Sequence, residues 1–307
     1  MAARPFNRLR AAFARTLWIS YFIPWYSAFP LGSTRISQAA YNYGMSTDTD
    51  PLIAMHRANQ AFHEQLTQQA ALSCGVAHFS MPFGRLANQL REAVVPADRS
   101  MQEAYAEVEE FYGRLAHPCR CWSPAPDQPI QEMERFLIEH GYTPRHMAIM
   151  QLRPWPELPA RPAVRVLPGR AMRASLRELL LSHPTHSPSE TREVWAEMML
   201  ARLDDPSFEV LLAMSGSTPI GHACLLQVGP IAAIYDVYVR EDFRRGGCAL
   251  AMMHDMITTC RRLELRTVVL EVGEFNAPAI KLYERCGFER AGNTVDFWKP
   301  ATTGNEA

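Results

Sequence analysis

Hydrophobic positions along the chain alternate between helical and strand-like spacing. Apolar residues three and four apart predict an amphipathic helix from Pro51 to about Gln69 and a second one beginning at Asp98. Short apolar runs at 76–79, 94–95 and 119–122 predict strands. A further helix ends at Gly141, where glycine suits a helix stop. Residues 51–152 are therefore predicted to form an α/β domain.

Four prolines fall within the ten residues 153–162. Proline lacks a backbone donor and cannot continue a helix, so this segment is predicted to be a linker between two domains.

Beyond the linker, helix and strand patterns again alternate, which defines a second predicted domain over 163–300. The predicted strands cover 164–166, 208–214, 219–227, 231–239, 266–272 and 294–298. The predicted helices cover 170–182, 189–203, the segment from the turn at 246–247 to about 262, and 276–286.

Composition narrows the protein class. The 307 residues include 48% hydrophobic residues and carry a formal net charge of -1, which excludes a disordered chain and offers no electrostatic case for nucleic-acid binding. Seven scattered cysteines are typical of a reducing compartment, so a cytoplasmic location is expected. Cys119 and Cys121 have no second pair at ligand spacing, so no metal site is expected.

Residues 1–44 are basic and contain an apolar run at 17–31 that Pro24 and Pro30 interrupt. The run is shorter than the roughly 20 residues of a membrane-spanning helix, so no stable membrane insertion is expected. We interpret this segment as a disordered or peripheral tail, or as an artefact of start-site choice, since Met45 follows it. A targeting role is the alternative.

A glycine turn follows the predicted strand 231–239. Gly246 and Gly247 allow positive φ and a close approach of the backbone to a ligand, and the helix after them begins with free N–H groups. Arg244 and Arg245 add positive charge there. The turn suits an anion such as a pyrophosphate, although an ordinary glycine turn before a packed helix has the same sequence.

Two motifs follow each other in this half. The first is Arg244-x-x-Gly247-x-Ala249, and the second combines Asn276, Ala279, Tyr283, Gly287 and Phe288. In this order and separation they resemble the GNAT (GCN5-related) N-acyltransferases over residues 163–300.

The resemblance implies an α+β fold with a mixed sheet, opened by a bulge in the strand before the glycine turn, and acetyl-CoA as acyl donor without a metal. The pantetheine arm would pair with Val237, Tyr238 and Val239. The pyrophosphate would rest on the backbone N–H groups of Arg245, Gly246, Gly247, Cys248, Ala249 and Leu250, with Arg244 and Asn276 also assigned to cofactor binding.

The resemblance also implies direct transfer to an amine within a ternary complex. Tyr283 is expected to protonate the leaving thiolate, unless it only packs against the sheet. Asp236, an acid in an apolar strand, is the candidate general base, with a water chain as the alternative. A backbone N–H near Val237 would hold the oxyanion. Cys248 is interpreted as packing rather than as a nucleophile, and the weaker candidates are Glu271, His222, His183 and His186.

The first half contains a similar pattern. Phe136–Tyr142 parallels Leu282–Phe288, since each is a helix that ends in glycine and an aromatic residue, and Leu137 or Ile138 stands where Tyr283 does. We interpret residues 51–152 as a degenerate GNAT-like copy without cofactor binding that completes the acceptor pocket or packs on the active half. Chance similarity is the alternative.

The leading function is N-acetylation of an unidentified amine, either a small molecule or a protein amine. The loop 182–189 is expected to border the acceptor site. The alternatives are a regulatory module that binds acyl-CoA and a purely structural domain. The oligomeric state stays open.

Overall fold

A computed structural model of the chain describes residues 50–115, 117–126, 128–183 and 189–299. The predicted tail at 1–44 and most of the loop 182–189, including His186, lie outside the described residues. The elements of the first half are α1 (Pro51–Glu64), β1 (Gln68–Leu72), β2 (Gly75–Phe79), α2 (Gly84–Ala87), β3 (Gln89–Ala93), α3 (Met101–Gly113), β4 (Cys121–Pro124), α4 (Gln131–Glu139) and β5 (Thr143–Leu152).

The second half follows the predicted order closely. It contains β6 (Arg165–Pro168), α5 (Arg173–Leu181), α6 (Ser189–Arg202), β7 (Phe208–Ser215), β8 (Thr218–Val228), β9 (Ile231–Val239), α7 (Cys248–Arg262), β10 (Thr267–Gly273), α8 (Ala277–Arg285) and β11 (Phe288–Trp298). Among the described residues no helix is long and apolar enough to cross a membrane.

Three sequence predictions in the first half are wrong in detail. The first helix ends at Glu64, and the residues after it form β1 instead. Residues 94–95 follow β3 rather than forming a strand. The cap of α3 is Ser100, not Asp98, because Ser100 and Glu103 satisfy each other's backbone N–H groups in a capping box.

All eleven strands of the described residues form one sheet, in the order β1-β2-β3-β4-β11-β5-β10-β9-β8-β7-β6. The two halves have the same connectivity. In the first, β1, β2 and β3 pair antiparallel and β3 then pairs parallel with β4. In the second, β7, β8 and β9 pair antiparallel and β9 then pairs parallel with β10. This order is a mixed α+β fold built twice in tandem.

The last strand of each half is exchanged. The strand β5 ends the first half but pairs with β10 of the second, and β11 ends the second half but pairs with β4 of the first. These two strands also pair with each other, from Thr143 opposite Trp298 to Leu152 opposite Phe288. The halves at 51–152 and 163–300 therefore share one sheet, and whether the linker divides two independent domains stays a prediction.

Helices cover both faces of the second half. On one face α7 packs over Ile234 of β9 and Leu270 of β10 in the largest buried cluster. On the other face α1 buries Met55 against Val269 of β10 and Ile149 of β5. Because α1 contacts strands of both halves, it lies where the exchanged strands meet.

The proline-rich linker follows α7 from its end to its start. The Arg261 guanidinium donates to the Pro156 carbonyl (2.9 Å), and Arg161 forms a two-point ion pair with Asp255 (2.6 and 2.8 Å). A methyl group added at Gly287 would lie 2.4 Å from Pro156 Cγ. The linker is thus a packed strap that leaves no room for a side chain at Gly287.

The strap predicts unequal effects of two matched glycine substitutions. Gly141 and Gly287 each come directly after a helix, and both have positive φ (+83° and +91°). A methyl group at Gly141, however, would meet nothing within 4 Å. We expect Gly141→Ala to cost about 1 kcal/mol of folding free energy from backbone strain alone. Gly287→Ala should cost about 2 kcal/mol more, because the methyl group also displaces Pro156. Urea unfolding of both variants measures the difference, and equal losses would show that the strap is loosely packed.

Candidate active site

The parallel pairing of β9 with β10 stops halfway along both strands. It runs from Ile231 opposite Thr267 to Ile234 opposite Leu270 and goes no further. Beyond that point Asp236 adopts a φ of +48°, and the register of β9 against β8 shifts, which defines a β-bulge. The two strands therefore separate into a fork, as the resemblance implies.

The turn after β9 leads directly into α7. Gly247 has a φ of +80° and precedes the helix, and the other residue of the turn with positive φ is Arg245 (+67°) rather than Gly246. The first helical hydrogen bond runs from Ala251 N to Gly247 O (2.9 Å). The backbone N–H groups of residues 248–250 therefore have no partner within the helix, and no side chain caps them.

This helix start suits an anion. The unpaired N–H groups and the helix dipole both favour negative charge. Arg244 and Arg245 are exposed beside it, and Arg244 Nε donates to the Val239 carbonyl (3.2 Å), which ties the turn to the end of β9. A cavity of about 530 Å³ adjoins the turn, with Gly246 and Cys248 in its wall.

In the first half, the corresponding strand β3 also has a bulge, but it does not separate from its parallel neighbour β4. Glu92 on β3 has a φ of +52°, matching Asp236. Pairing between β3 and β4 nevertheless resumes beyond it, at Ala93 opposite Pro124, and Ala125 N donates to Ala93 O (3.0 Å). The first half therefore has no slot between its two parallel strands.

The start of α3 is also closed to an anion. Glu103 accepts a hydrogen bond from Ser100 N (2.8 Å), and Ser100 Oγ accepts one from Glu103 N (3.3 Å). This arrangement places a carboxylate where α7 exposes only backbone donors. A phosphate at α3 would meet charge repulsion, so the site belongs to the second half.

Comparison with known proteins identifies that half. Residues 173–288 match the acetyltransferase (GNAT) family. Residues 173–288 are a GNAT domain. The L-amino acid N-acetyltransferase AaaT of Escherichia coli is 27% identical over 165 residues, which is 52% of this chain and 86% of that protein. Mycothiol acetyltransferase of Saccharomonospora viridis is 27% identical over 249 residues, which is 74% of this chain and 80% of that protein.

A solved GCN5-related N-acetyltransferase from Kribbella flavida covers 83% of this chain and 97% of its own, with a TM-score of 0.56 and 15% identity. At that identity the likeness concerns the fold alone. It extends over both halves of the chain, in agreement with the tandem topology.

Tyr283 lies on α8 of the GNAT domain. It is 6% exposed, and burial, with a further contribution from the Asp236 carboxylate, raises its pKa above the ordinary tyrosine value. The phenol is therefore protonated at neutral pH and able to donate. Counting back from the glycine after each helix, Leu137 takes this place in the first half, and it is buried while Ile138 is exposed.

Asp236 forms a pair with a buried histidine. Its Oδ2 lies 2.9 Å from His222 Nε2, and its side chain is 32% exposed. The thiol of Cys224 belongs to the same cluster, since one ligand atom of each of the three residues lies within 4.8 Å of the others. Burial raises the Cys224 pKa well above its ordinary value. The three side chains are chemically able to hold a metal ion, a site that sequence analysis did not anticipate.

Glu271, one of the weaker candidates from the sequence, lies at the point where β9 and β10 separate. It follows Leu270, the last residue of β10 that pairs with β9, so it stands where the fork opens. Asn59 of α1 and Thr294 of β11 donate hydrogen bonds to its Oε1 (3.1 and 3.2 Å). Burial, reinforced by the Asp296 charge, raises its pKa to about 7. The sequence feature that pointed to Glu271 is an acidic residue within the apolar run of β10.

The remaining predicted residues have visible structural roles. The Asn276 side chain caps α8 by accepting from Ala279 N (3.3 Å). The Cys248 thiol is buried, which raises its pKa, and its sulfur lies 3.8 Å from the Phe243 carbonyl oxygen. The Tyr238 ring packs on His183, with 3.9 Å between ring centroids. On the opposite side of β9, Val237 and Val239 pack against the α7 cluster.

Proposed function

We propose that the chain transfers an acetyl group from acetyl-CoA to an amine by direct attack in a ternary complex. One observation carries this proposal: the forked strands and the uncapped helix start occur together in the second half, whereas the described residues of the first half have neither. The fork offers unpaired strand backbone to a pantetheine arm, and the helix start offers N–H donors to a pyrophosphate.

We infer the direction of the bound cofactor from this geometry. The pyrophosphate would rest on the N–H groups of residues 245–250, next to the end of β9. The pantetheine arm would run back along Val237–Val239 towards the apex of the fork. The thioester then lies beside Asp236 and Glu271, with the backbone N–H of Val237 as the oxyanion donor.

Glu271 is the better-placed general base of the two acids at the fork. A base works best with a pKa near the working pH, and the Glu271 pKa of about 7 meets that condition. Asp236 is already engaged with His222. We therefore assign proton removal from the amine to Glu271 and keep Asp236 as the alternative.

Tyr283 supplies the acid in this scheme. As the amine nitrogen forms its bond to the acetyl carbon, the carbon–sulfur bond breaks and leaves a thiolate. The protonated phenol on α8 donates to this sulfur. Its burial keeps it protonated until the thiolate forms.

Ala249→Glu tests the pyrophosphate site without attacking the fold. Position 249 lies in the first turn of α7, where a carboxylate stabilises a helix but repels a phosphate. We expect the Kd for acetyl-CoA to rise at least about tenfold, since each 1.4 kcal/mol of lost interaction is a factor of ten. Calorimetric titration measures this effect, with Ala249→Gln as the isosteric control.

A substitution at Gly247 is a poorer test, because a methyl group there would lie 2.8 Å from Pro162 Cβ. If Ala249→Glu binds acetyl-CoA as tightly as Ala249→Gln does, the pyrophosphate does not rest at this helix start. Binding by the parent chain without turnover on any amine would instead favour the regulatory module.

The pH dependence of kcat/KM separates the two candidate bases. Glu271 must be ionised to accept a proton, so activity should fall as the pH drops below about 7. The groups that act on it are Asn59 of α1, Arg91 of β3, and Thr294 and Asp296 of β11. Glu271→Gln should lower kcat by about 100-fold or more and abolish this acidic limb. Asp236→Asn should preserve the limb, and its loss there would transfer the role to Asp236.

Tyr283→Phe removes the proton donor and keeps the ring. We expect kcat to fall by about 100-fold, with little change in the KM for either substrate, because the hydroxyl acts only as the thiolate departs. Steady-state kinetics with acetyl-CoA and an accepted amine measure both parameters. Unchanged turnover would reduce Tyr283 to a packing residue.

A further inference from the structure

A second cavity lies where the two halves meet, on the α1 face of the sheet. Its volume is about 340 Å³, within the range of sites for small molecules. Side chains from α1, from the first half and from the second half all line it. The polar side chains in its wall include His56, Asn59, Arg91, His146, Glu271 and Asp296.

Arg91 brings an unsatisfied cation to this cavity. The residue, on β3, is 5% exposed, and its Nε has no hydrogen-bond partner. Its Nη1 makes one long hydrogen bond, 3.4 Å to Gln89 Oε1. Among the described residues no carboxylate oxygen lies within 4.0 Å of the guanidinium. A buried guanidinium in this condition is costly unless an anion completes its hydrogen bonds.

Two acids line the same cavity. Glu271 marks the apex of the fork, and Asp296 of β11 acts on it electrostatically. The cavity therefore combines a place for a cation, at the acids, with a place for an anion, at Arg91. A ligand that carries both charges would satisfy both.

We propose that this cavity is the acceptor pocket and that its acceptor is a small amine that also carries a carboxylate. This inference rests on the proposed function and narrows its substrate class. The Arg91 guanidinium binds the carboxylate in a two-point interaction, a geometry that arginine favours. The amine is thereby directed to Glu271, beside the thioester.

The reaction in this pocket balances without a further reagent. The ammonium gives one proton to the Glu271 carboxylate, and the neutral nitrogen attacks the thioester carbonyl. The carbon–nitrogen bond forms, the carbon–sulfur bond breaks, and Tyr283 protonates the thiolate. The second proton of the nitrogen leaves as the amide forms and replaces the one that Tyr283 gave up, and Glu271 releases its proton to solvent. The products are an N-acetylated carboxylate and CoA, and Arg91 keeps its charge throughout.

The same pocket disfavours other amines. A polyamine has no group for Arg91 and brings further positive charges close to it. An amide or ester of an otherwise suitable acceptor leaves the guanidinium without its anion. Sites built around a buried polar group reject analogues that lack its partner far more strongly than apolar pockets do.

The test compares amino acids with analogues that lack the carboxylate, on the unmodified chain of 307 residues. Each acceptor is assayed with acetyl-CoA, and kcat/KM is referred to the concentration of neutral amine, because an amide lowers the amine pKa. The probes are L-alanine, L-methionine, L-phenylalanine and β-alanine, their carboxamides, and spermidine. We expect at least about a 100-fold preference for the best acid over its carboxamide.

Variants then assign the preference to Arg91. Arg91→Gln should raise the KM of the acid at least about tenfold and bring the ratio of acid to carboxamide close to one, with the Kd for acetyl-CoA unchanged. Arg91→Lys should recover part of the preference. Arg135→Gln, on the exposed face of α4, is the matched control and should keep it in full.

Each outcome is informative. A wild-type chain that acetylates spermidine or the carboxamides as well as the acids overturns the inference while the proposed function survives. A preference for acids that persists in Arg91→Gln shows that another group binds the carboxylate, which also overturns it. A chain that neither binds acetyl-CoA nor acetylates any probe refutes the proposed function itself. Since the wild-type comparison needs no variant, poor folding of Arg91→Gln does not remove the test.

Discussion

The pairing of β5 with β11 is the interaction on which the rest of the structure depends. Each strand follows the last α-helix of its own half. Each also pairs antiparallel with a strand of the other half, β5 with β10 and β11 with β4. Separating the halves would expose the edges of both strands and of β4 and β10, with a row of unpaired backbone groups on each. The far wall of the fork, β10, is therefore held in place by a strand from the first half. Cofactor slot and acceptor cavity thus belong to one sheet rather than to one half.

Two helices at equivalent positions differ in how their first backbone N–H groups are satisfied. Both α3 and α7 follow a strand with a bulge, and both begin a long buried helix. At α3, Ser100 and Glu103 satisfy the helix start from within the chain. At α7, Gly247 carries no side chain and the N–H groups stay available. The same backbone donors are satisfied by a capping box in one half and have no side-chain cap in the other.

Local signals explain what the sequence could predict. The bounds of β9 and the cap of α8 at Asn276 follow from short motifs, and the structure has them as predicted. The turn also lies where the glycines predict it, but its positive φ angles are at Arg245 and Gly247 rather than at both glycines. The strand β5 was not predicted, because its pattern is uneven and both of its neighbours come from the distant second half. The grouping of charges in the acceptor cavity was not predicted either, because its members are distant in sequence. Glu271 was visible as an acid in an apolar strand, but Asn59 and Arg91, which act on it, are far away in sequence.

The helix α1 connects the first half to the proposed base of the second. On one side His56 donates to Glu92 at the bulge of the first half (3.2 Å), and this hydrogen bond lowers the Glu92 pKa. On the other side Asn59 accepts from the Tyr235 hydroxyl and donates to Glu271 (both 3.1 Å). One helix thus links the bulge of the first half to the proposed base of the second.

The bulge of β3 opens no fork, but it turns Glu92 out of the ladder, where it can hold α1. It also places Arg91 beside Glu92 in the shared cavity. Because β3 and β4 pair again beyond the bulge, this wall faces the shared cavity rather than an open slot. The strand pairing that leaves the first half without a slot thus also gives Arg91 its place in the proposed acceptor pocket.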